Sequence, residues 1–124
     1  MKALLLLLAL TLGEVFGERA EFDKTVHDFG IISLKDGPQS CTFNVKNVGS
    51  DSLTIYTVVS SCGCTDVDWT RETLAPGQSG TIRATYSNDE GTFPFDKTVT
   101  VYLSDMRKPV ILHLRGEVTN KRSK

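Results

Sequence analysis

Apolar and polar residues alternate in short segments along almost the whole chain after residue 17. In one of these segments Cys41, Phe43 and Val45 lie on one face of an extended chain, and the polar residues between them lie on the other. A repeat of two residues is typical of β-strands that bury one face. No window of a dozen residues after residue 17 has the repeat of an amphipathic helix. The sequence therefore predicts an all-β fold.

Seven such segments, separated by turn residues, are expected to be strands. They cover residues 22–31, 39–48, 53–59, 67–74, 81–86, 98–103 and 110–118. Val58 is out of phase with Leu53 and Ile55, which indicates a bulge or an early end in the third strand. Seven strands in about 100 residues predict an immunoglobulin-like sandwich of two facing sheets. The antibody pattern is missing, because Cys41 has no cysteine partner on the sixth strand and Trp69 does not lie on the third.

The first 17 residues have the charge, the apolar core and the small exit residues of a secretory signal peptide. The apolar run over residues 3–12 is shorter than the ~20 residues that a membrane span needs. Val15 and Gly17 have the size that signal peptidase accepts, so we expect cleavage after Gly17. This predicts a signal-peptide helix, a periplasmic or secreted protein and no permanent membrane span after cleavage. A buried amino-terminal helix is the disfavoured alternative, since the leucine run has no amphipathic stripe.

Length and charge limit the organisation of the chain and its partners. The chain has 124 residues, of which 40% are hydrophobic, enough for one compact domain and too few for two. We expect residues 18–119 to form the sandwich and residues 120–124 to form a basic flexible tail. Lys and Arg number 14 against 15 Asp and Glu, so nothing attracts the chain strongly to a nucleic acid.

Three cysteines are the main candidates for chemistry. Cys62 and Cys64 flank one glycine in the loop after the third predicted strand, and Cys41 lies on the second. If these two strands pair antiparallel through the turn at residues 49–52, all three sulfurs gather at one end of the sandwich. In an oxidising compartment we expect a disulfide within this cluster and one thiol left over.

The spacing allows several outcomes for these sulfurs. The disulfide joins either Cys62 to Cys64 or Cys41 to one of the two. Alternatively, Cys41 is a small buried hydrophobic residue. A further alternative is a copper(I) site made of three thiolates.

The other candidate residues predict no catalytic, cofactor or metal site. His27 precedes Asp28, but neighbours in a strand point to opposite faces. Asp66, Asp68 and Glu72 lack the spacing of a calcium loop. The sequence has no nucleophile elbow, phosphate-binding loop or zinc-protease motif. We therefore expect a protein that is not an enzyme and has no cofactor.

For His113 and for the aromatic residue Trp69 we expect no role in chemistry. His113 lies between two inward leucines and is expected to face solvent without a ligand partner. We expect Trp69 to cap one end of the core, rather than to form an exposed contact patch with Phe93 and Phe95.

Several motifs along the chain resemble a known family. They are, in order, residues 26–31, 43–49, 53–55, 61–65 with Trp69, 74–80 and 112–118. Together they resemble the bacterial domain-of-unknown-function family 1573. The resemblance implies a small exported protein or module of a Gram-negative envelope, similar in fold to major-sperm-protein and Hydin-type sandwiches, with no assigned reaction. It also implies a signature loop that leaves out Cys41 and consists of Cys62, Gly63, Cys64 and Thr65 with Trp69.

The sequence as a whole predicts a non-enzymatic exported module that binds an envelope protein or a surface polymer through a loop end or an edge strand. One alternative is a module that binds copper(I) or exchanges disulfides through Cys62 and Cys64. Exchange needs an exposed cysteine of depressed pKa, and the nearest cation in sequence is Arg71. The other alternative is a structural unit of an envelope assembly.

Overall fold

The computed structural model of the protein describes residues 13–17 and 19–120. The predicted signal-peptide helix and most of the predicted basic tail lie outside these residues. Within the two described ranges, no helix is both long enough and apolar enough to cross a membrane.

Nine strands and one short 3-10 helix make up the regular structure of the described residues, two strands more than predicted. The elements are β1 (Glu14–Phe16), β2 (Ala20–Phe22), β3 (Val26–Ser33), the 3-10 helix (Leu34–Asp36), β4 (Gln39–Asn47), β5 (Ile55–Ser60), β6 (Thr65–Trp69), β7 (Ser79–Tyr86), β8 (Pro94–Leu103) and β9 (Val110–Thr119).

The predicted first strand is two strands, which corrects the prediction of seven. Asp23 directly follows β2, between the two strands. Its backbone N–H donates to the carbonyl oxygen of Asn44 on β4, and its two carboxylate oxygens accept from the backbone N–H and the side-chain amide of Asn44. These bonds hold the end of β2 on β4, and the chain then leaves for the other sheet as β3. The second additional strand, β1, pairs with β2 and lies inside the predicted signal peptide.

The strands form two sheets around one core. The five-stranded sheet has the order β1-β2-β4-β7-β6, and the four-stranded sheet has the order β3-β9-β8-β5. All neighbours are antiparallel except β3 and β9, which run parallel. Apolar side chains from both sheets pack into one buried cluster. The described chain is therefore an all-β, two-sheet structure, as the alternation predicts.

The buried faces follow the predicted repeat of two residues. The predicted inward residues that are buried include Cys41, Phe43, Val45, Ile82, Ala84, Tyr86, Val99, Val101, Leu103, Val110, Leu112, Leu114 and Val118. The irregularity predicted in the third strand is confirmed, because the register of β5 against β8 shifts between Ile55 and Thr57.

The predicted pairing of the second and third strands is wrong. These strands are β4 and β5, and they belong to different sheets. Between them the chain crosses the sandwich, and the buried side chain of Asn47 holds the crossing by donating to the carbonyl oxygens of Asp51 and Leu74 at 2.7 and 2.9 Å. An alternating pattern reports a buried face but not the sheet that supplies it. Cys41 therefore does not lie beside the end of β5.

Candidate functional site

Residues 61–64 connect β5 to β6 and carry the chain from the four-stranded sheet to the five-stranded sheet. Cys62 and Cys64 are joined there by a disulfide, with their Cα atoms 5.1 Å apart. Both cysteines are partly exposed, and Gly63 between them is exposed. Cys64 also packs against the core, whereas Cys62 does not. The crossover thus presents the disulfide at the surface.

Hydrogen bonds hold this loop in a tight turn. The Ser60 hydroxyl and the Thr65 backbone N–H both donate to the carbonyl oxygen of Cys62, at 3.0 and 3.2 Å. The backbone N–H of Cys64 lies 3.1 Å from Cys62 Sγ and donates to it. An N–H that points at a sulfur stabilises negative charge on that sulfur. Of the two sulfurs, Cys62 Sγ therefore accepts a hydrogen bond from the loop's own backbone.

A carboxylate from a distant part of the chain lies against the disulfide. Glu90, in the connection between β7 and β8, places Oε2 3.7 Å from Cys62 Sγ. Its other oxygen, Oε1, accepts a hydrogen bond of 2.8 Å from the Tyr86 hydroxyl and lies 3.1 Å from Lys97 Nζ. With Oε1 occupied in this way, Oε2 is held towards the sulfur.

Tyr86 anchors this arrangement in the core. Its ring is fully buried and stacks on Phe95, with centroids 4.1 Å apart. Burial raises the pKa of Tyr86, and its hydrogen bond to Glu90 raises it further, so the phenol remains a donor. That hydrogen bond is the main cause that lowers the pKa of Glu90, and Lys97 acts in the same direction. Glu90 is therefore an ionised carboxylate at neutral pH.

The reasoning from sequence missed Glu90, Tyr86 and Lys97. Glu90 is 28 residues from Cys62 along the chain and follows no motif. The cation that the sequence places nearest, Arg71, has another role: its guanidinium lies 3.7 Å from the centroid of the Trp69 ring. No local signal in the sequence indicates that the loop after β7 reaches the disulfide.

Cys41 is not part of this site, which corrects the prediction of a three-sulfur cluster. It is a free, buried thiol on β4, opposite Ala84 of β7. The prediction was wrong because it paired β4 with β5. Burial raises the pKa of Cys41 to about 11. A three-thiolate copper(I) site therefore has no third ligand here, because Cys41 is buried elsewhere and the other two sulfurs are joined in the disulfide.

The remaining residues of the implied signature loop are structural. Thr65 is buried at the start of β6. Trp69 at its end packs against the core, under Arg71. In the disfavoured alternative Trp69 formed an exposed patch with Phe93 and Phe95; of these two, Phe95 is buried and Phe93 is exposed.

The two histidines and Asp68, one of the acidic residues near the cysteine loop, have local partners. His27 Nδ1 lies 3.0 Å from Lys24 Nζ, and burial, helped by Lys24, lowers its pKa. His113 Nδ1 lies 2.8 Å from a carboxylate oxygen of Asp96. Asp68 forms an ion pair with Arg71. Among the described residues, the group of three that could hold a metal ion is Cys62, Cys64 and Glu90.

Several solved structures align with this chain at low sequence identity. A protein of unknown function from Porphyromonas gingivalis W83 aligns with a TM-score of 0.67 and 18% identity, over 83% of this chain and 49% of that one. The VesB protease of Vibrio cholerae aligns with a TM-score of 0.63 and 20% identity, over 81% of this chain and 31% of that one. SSP-19 of Caenorhabditis elegans, described as an MSP-domain protein like family member, aligns with a TM-score of 0.48 and 13% identity, over 73% and 92% of the two chains.

The chain spans about half the length of the Porphyromonas protein and about a third of VesB. At these identities the first two likenesses show the fold and nothing of the activity. No curated protein matches the sequence. The profile of the family described as "Protein of unknown function (DUF1573)" matches residues 20–118, which include every strand except β1 and the last residue of β9. The chain therefore belongs to the DUF1573 family.

Proposed function

We propose that this protein is an exported immunoglobulin-like module that exchanges its Cys62–Cys64 disulfide with the thiols of partner proteins. One observation supports this above all. The disulfide is partly exposed in a surface crossover, and the backbone N–H of Cys64 donates to Cys62 Sγ, which favours the thiolate that leaves when the bridge is opened. Exposed disulfides are the labile and exchangeable ones in proteins.

A structural role explains this disulfide poorly. A bridge across one intervening residue closes so short a loop that the chain-entropy model gives about 1.6 kcal/mol. Backbone bonds already fix both sides of the loop, from Ser61 N–H to the Thr98 carbonyl and from Ser87 N–H to the Cys64 carbonyl. The bridge therefore adds little that the strands do not supply.

The exchange we propose transfers two electrons from a partner dithiol. A partner thiolate attacks one sulfur of the bridge, the Cys62–Cys64 bond breaks, and a mixed disulfide forms. The second partner thiol then attacks that mixed disulfide, which leaves an oxidised partner and two reduced cysteines here. The two protons of the partner end on Cys62 and Cys64. In the reduced protein, Glu90 Oε2 is placed to accept the hydrogen bond of the Cys62 thiol.

Export is part of the proposal. Disulfides persist in the periplasm and outside the cell, and residues 1–17 have the composition of a secretory leader. We propose that the working protein is the sandwich of residues 18–119 with its short basic tail.

Trapping the mixed disulfide tests the exchange. Cys64→Ser leaves Cys62 without its resolving partner, so one half of oxidised glutathione or of a disulfide peptide should remain bound to Cys62 as a mixed disulfide and add its mass, while the other half leaves as a thiol. The matched control, Cys62→Ser with Cys64→Ser, should gain no mass. In the wild-type protein, glutathione redox buffers should set the fraction of reduced bridge, measured by alkylation and mass spectrometry. A bridge that stays fully oxidised in excess reduced dithiothreitol contradicts the proposal.

A second candidate function, partner binding, is favoured by one surface. Val59, Tyr102 and Ile111 are 51%, 43% and 43% exposed on the outer face of the four-stranded sheet. In the strand register, Val59 and Ile111 flank Thr100 on the two neighbouring strands. Tyr102 lies two residues after Thr100 on the same strand. Contiguous exposed apolar residues are typical of contact surfaces. Photo-crosslinking from position 102 in the native envelope should recover a protein or polymer, and a matched probe at position 83 on the five-stranded sheet should not.

A further inference from the structure

We infer that the reduced protein binds a divalent ion of the zinc type through Cys62, Cys64 and Glu90. The inference rests on the same reducible bridge as the proposed function, but it requires no exchange with a protein partner. Sulfur and carboxylate oxygen atoms of the three residues all lie within 4.8 Å of one another. Reduction frees both sulfurs, so the disulfide and the metal are mutually exclusive occupants of one site.

The carboxylate is oriented before any ion arrives. Tyr86 and Lys97 occupy Glu90 Oε1, and Oε2 is left facing Cys62 Sγ. Outer groups that fix a ligand in this way raise metal affinity, because less freedom is lost on binding. The Tyr86 ring is itself locked by stacking on Phe95. The sandwich core thus fixes the oxygen ligand, and the crossover loop supplies the sulfur ligands.

The donor set selects the class of metal. Two thiolates with one carboxylate suit Zn²⁺, which accepts sulfur and oxygen ligands and leaves a fourth position for water. Ca²⁺ and Mg²⁺ require oxygen ligands throughout. Copper(I) is satisfied by two thiolates and gains little from a carboxylate. Glu90 is therefore the residue that separates a zinc-type ion from copper(I).

The local charge also favours a divalent ion. Both thiolates and Glu90 are negative in the bound state, and Lys97 lies 3.1 Å from Glu90 Oε1. A divalent ion together with Lys97 balances these three negative charges, whereas a monovalent ion leaves one uncompensated. The charge of the two partly exposed cysteines and the exposed Glu90 is thus matched by a divalent ion.

Anaerobic metal titration of the reduced full chain tests the inference. The bridge is opened with a phosphine reductant and thiols are counted before Co²⁺, a spectroscopic substitute for Zn²⁺, is added. We expect one equivalent of Co²⁺ to give a thiolate charge-transfer band, and Zn²⁺ to displace it. The oxidised protein and the Cys62→Ser, Cys64→Ser double variant should give no band.

Glu90→Gln is the decisive variant, because it keeps the shape of the side chain and removes its charge. We expect it to weaken Zn²⁺ binding about tenfold or more in competition with a chromophoric chelator, and to leave copper(I) binding unchanged. Tyr86→Phe, which loses only the orienting hydroxyl, should weaken Zn²⁺ binding less. Equal Zn²⁺ affinity in wild type and Glu90→Gln overturns the inference, and so does fully reduced protein that gives no Co²⁺ band.

The outcomes distinguish the two proposals. A bridge that glutathione reduces in a protein that binds no Zn²⁺ overturns the metal site and leaves the exchange standing. A bridge that only the phosphine reduces, in a protein that then binds Zn²⁺, overturns the exchange and supports the metal site. A bridge that the phosphine cannot open overturns both.

Discussion

Cys62 Sγ is bracketed by two groups with opposite effects on its charge. The backbone N–H of Cys64 donates to it at 3.1 Å, and Glu90 Oε2 lies 3.7 Å away. The N–H favours a thiolate, whereas the carboxylate favours a protonated thiol. The balance sets how readily Cys62 leaves or attacks in an exchange reaction.

Glu90→Gln should lower the pKa of the Cys62 thiol in the reduced protein. The substitution removes a negative charge next to the sulfur and so stabilises the thiolate. The measurement is the pH dependence of alkylation at Cys62, followed by mass spectrometry in a Cys41→Ala background. Asp89→Asn, which removes a charge from the same loop without a contact to the sulfur, is the control. An unchanged profile in Glu90→Gln argues against electrostatic coupling.

Cys41 should make the protein less stable in alkali. In the folded chain its pKa is raised by burial from 9.0 to about 11, so between these values the unfolded chain binds fewer protons than the folded one. Stability then falls as pH rises through this window, and it is unaffected by Cys41 below it. Chemical denaturation at pH 8 and pH 10.5 should show a larger loss for wild type than for Cys41→Ala. Equal losses would mean that the buried thiol titrates normally.

Among the elements, the connection from β7 to β8 determines where Glu90 lies. Asn88 in this connection is buried, with φ at 57°. Its side-chain amide donates to the carbonyl oxygens of Ser33 and Gly37, at 2.9 and 3.0 Å. These two bonds tie the connection to the loop between β3 and β4. Two residues further on, Glu90 reaches the disulfide.

Substitution of Asn88 should destabilise the fold and loosen the site. Asn88→Gly tolerates the positive φ but leaves two carbonyl groups without their donor, at a cost of about 1–3 kcal/mol. Asn88→Ala loses the same bonds and adds about 1 kcal/mol of backbone strain. In urea denaturation, the free energy of unfolding should be highest for wild type, lower for Asn88→Gly and lowest for Asn88→Ala. If the two variants are equally stable, the positive φ costs nothing at this position.

Period-two alternation predicted the buried faces of the strands but not the sheet that each strand joins. Val45 and Ile55 are both inward residues, yet they come from opposite sheets that share one core. The crossing depends on the buried amide of Asn47, which a hydropathy pattern reads as a polar residue at the end of a strand. This is the physical reason why the cysteine cluster was predicted with one sulfur too many.

The sequence indicated the two cysteines of the candidate site but not the charged residues beside them. Cys62 and Cys64 are separated by one residue in the chain, so a local motif finds them. Glu90 and Lys97 reach them only after β7 and β8 have been placed in opposite sheets. Side chains that meet through long-range topology leave no signature in one sequence.

At the scale of the whole molecule, two sheets close on one core that does not depend on the bridge. The core cluster takes side chains from seven of the strands, β2 to β9 without β6, and the partly buried Val67 and Trp69 of β6 pack against it.

Reduction of the bridge should therefore leave the protein folded. The chain-entropy term of about 1.6 kcal/mol predicts that Tm falls by about 6–10 °C. Differential scanning calorimetry with and without reductant measures the shift, and Cys62→Ser with Cys64→Ser should match the reduced wild type. Loss of the cooperative unfolding transition on reduction would show that the fold depends on the disulfide.

The burial of Cys41 in the core limits which disulfides the folded chain can form. Three cysteines permit three intramolecular pairings in an unfolded chain, but the fold seals one thiol inside the core and leaves the other two side by side at the surface. While the core stays closed, an attacking thiol meets the same two sulfurs each time. Such a chain can be oxidised and reduced repeatedly without scrambling into a mispaired isomer.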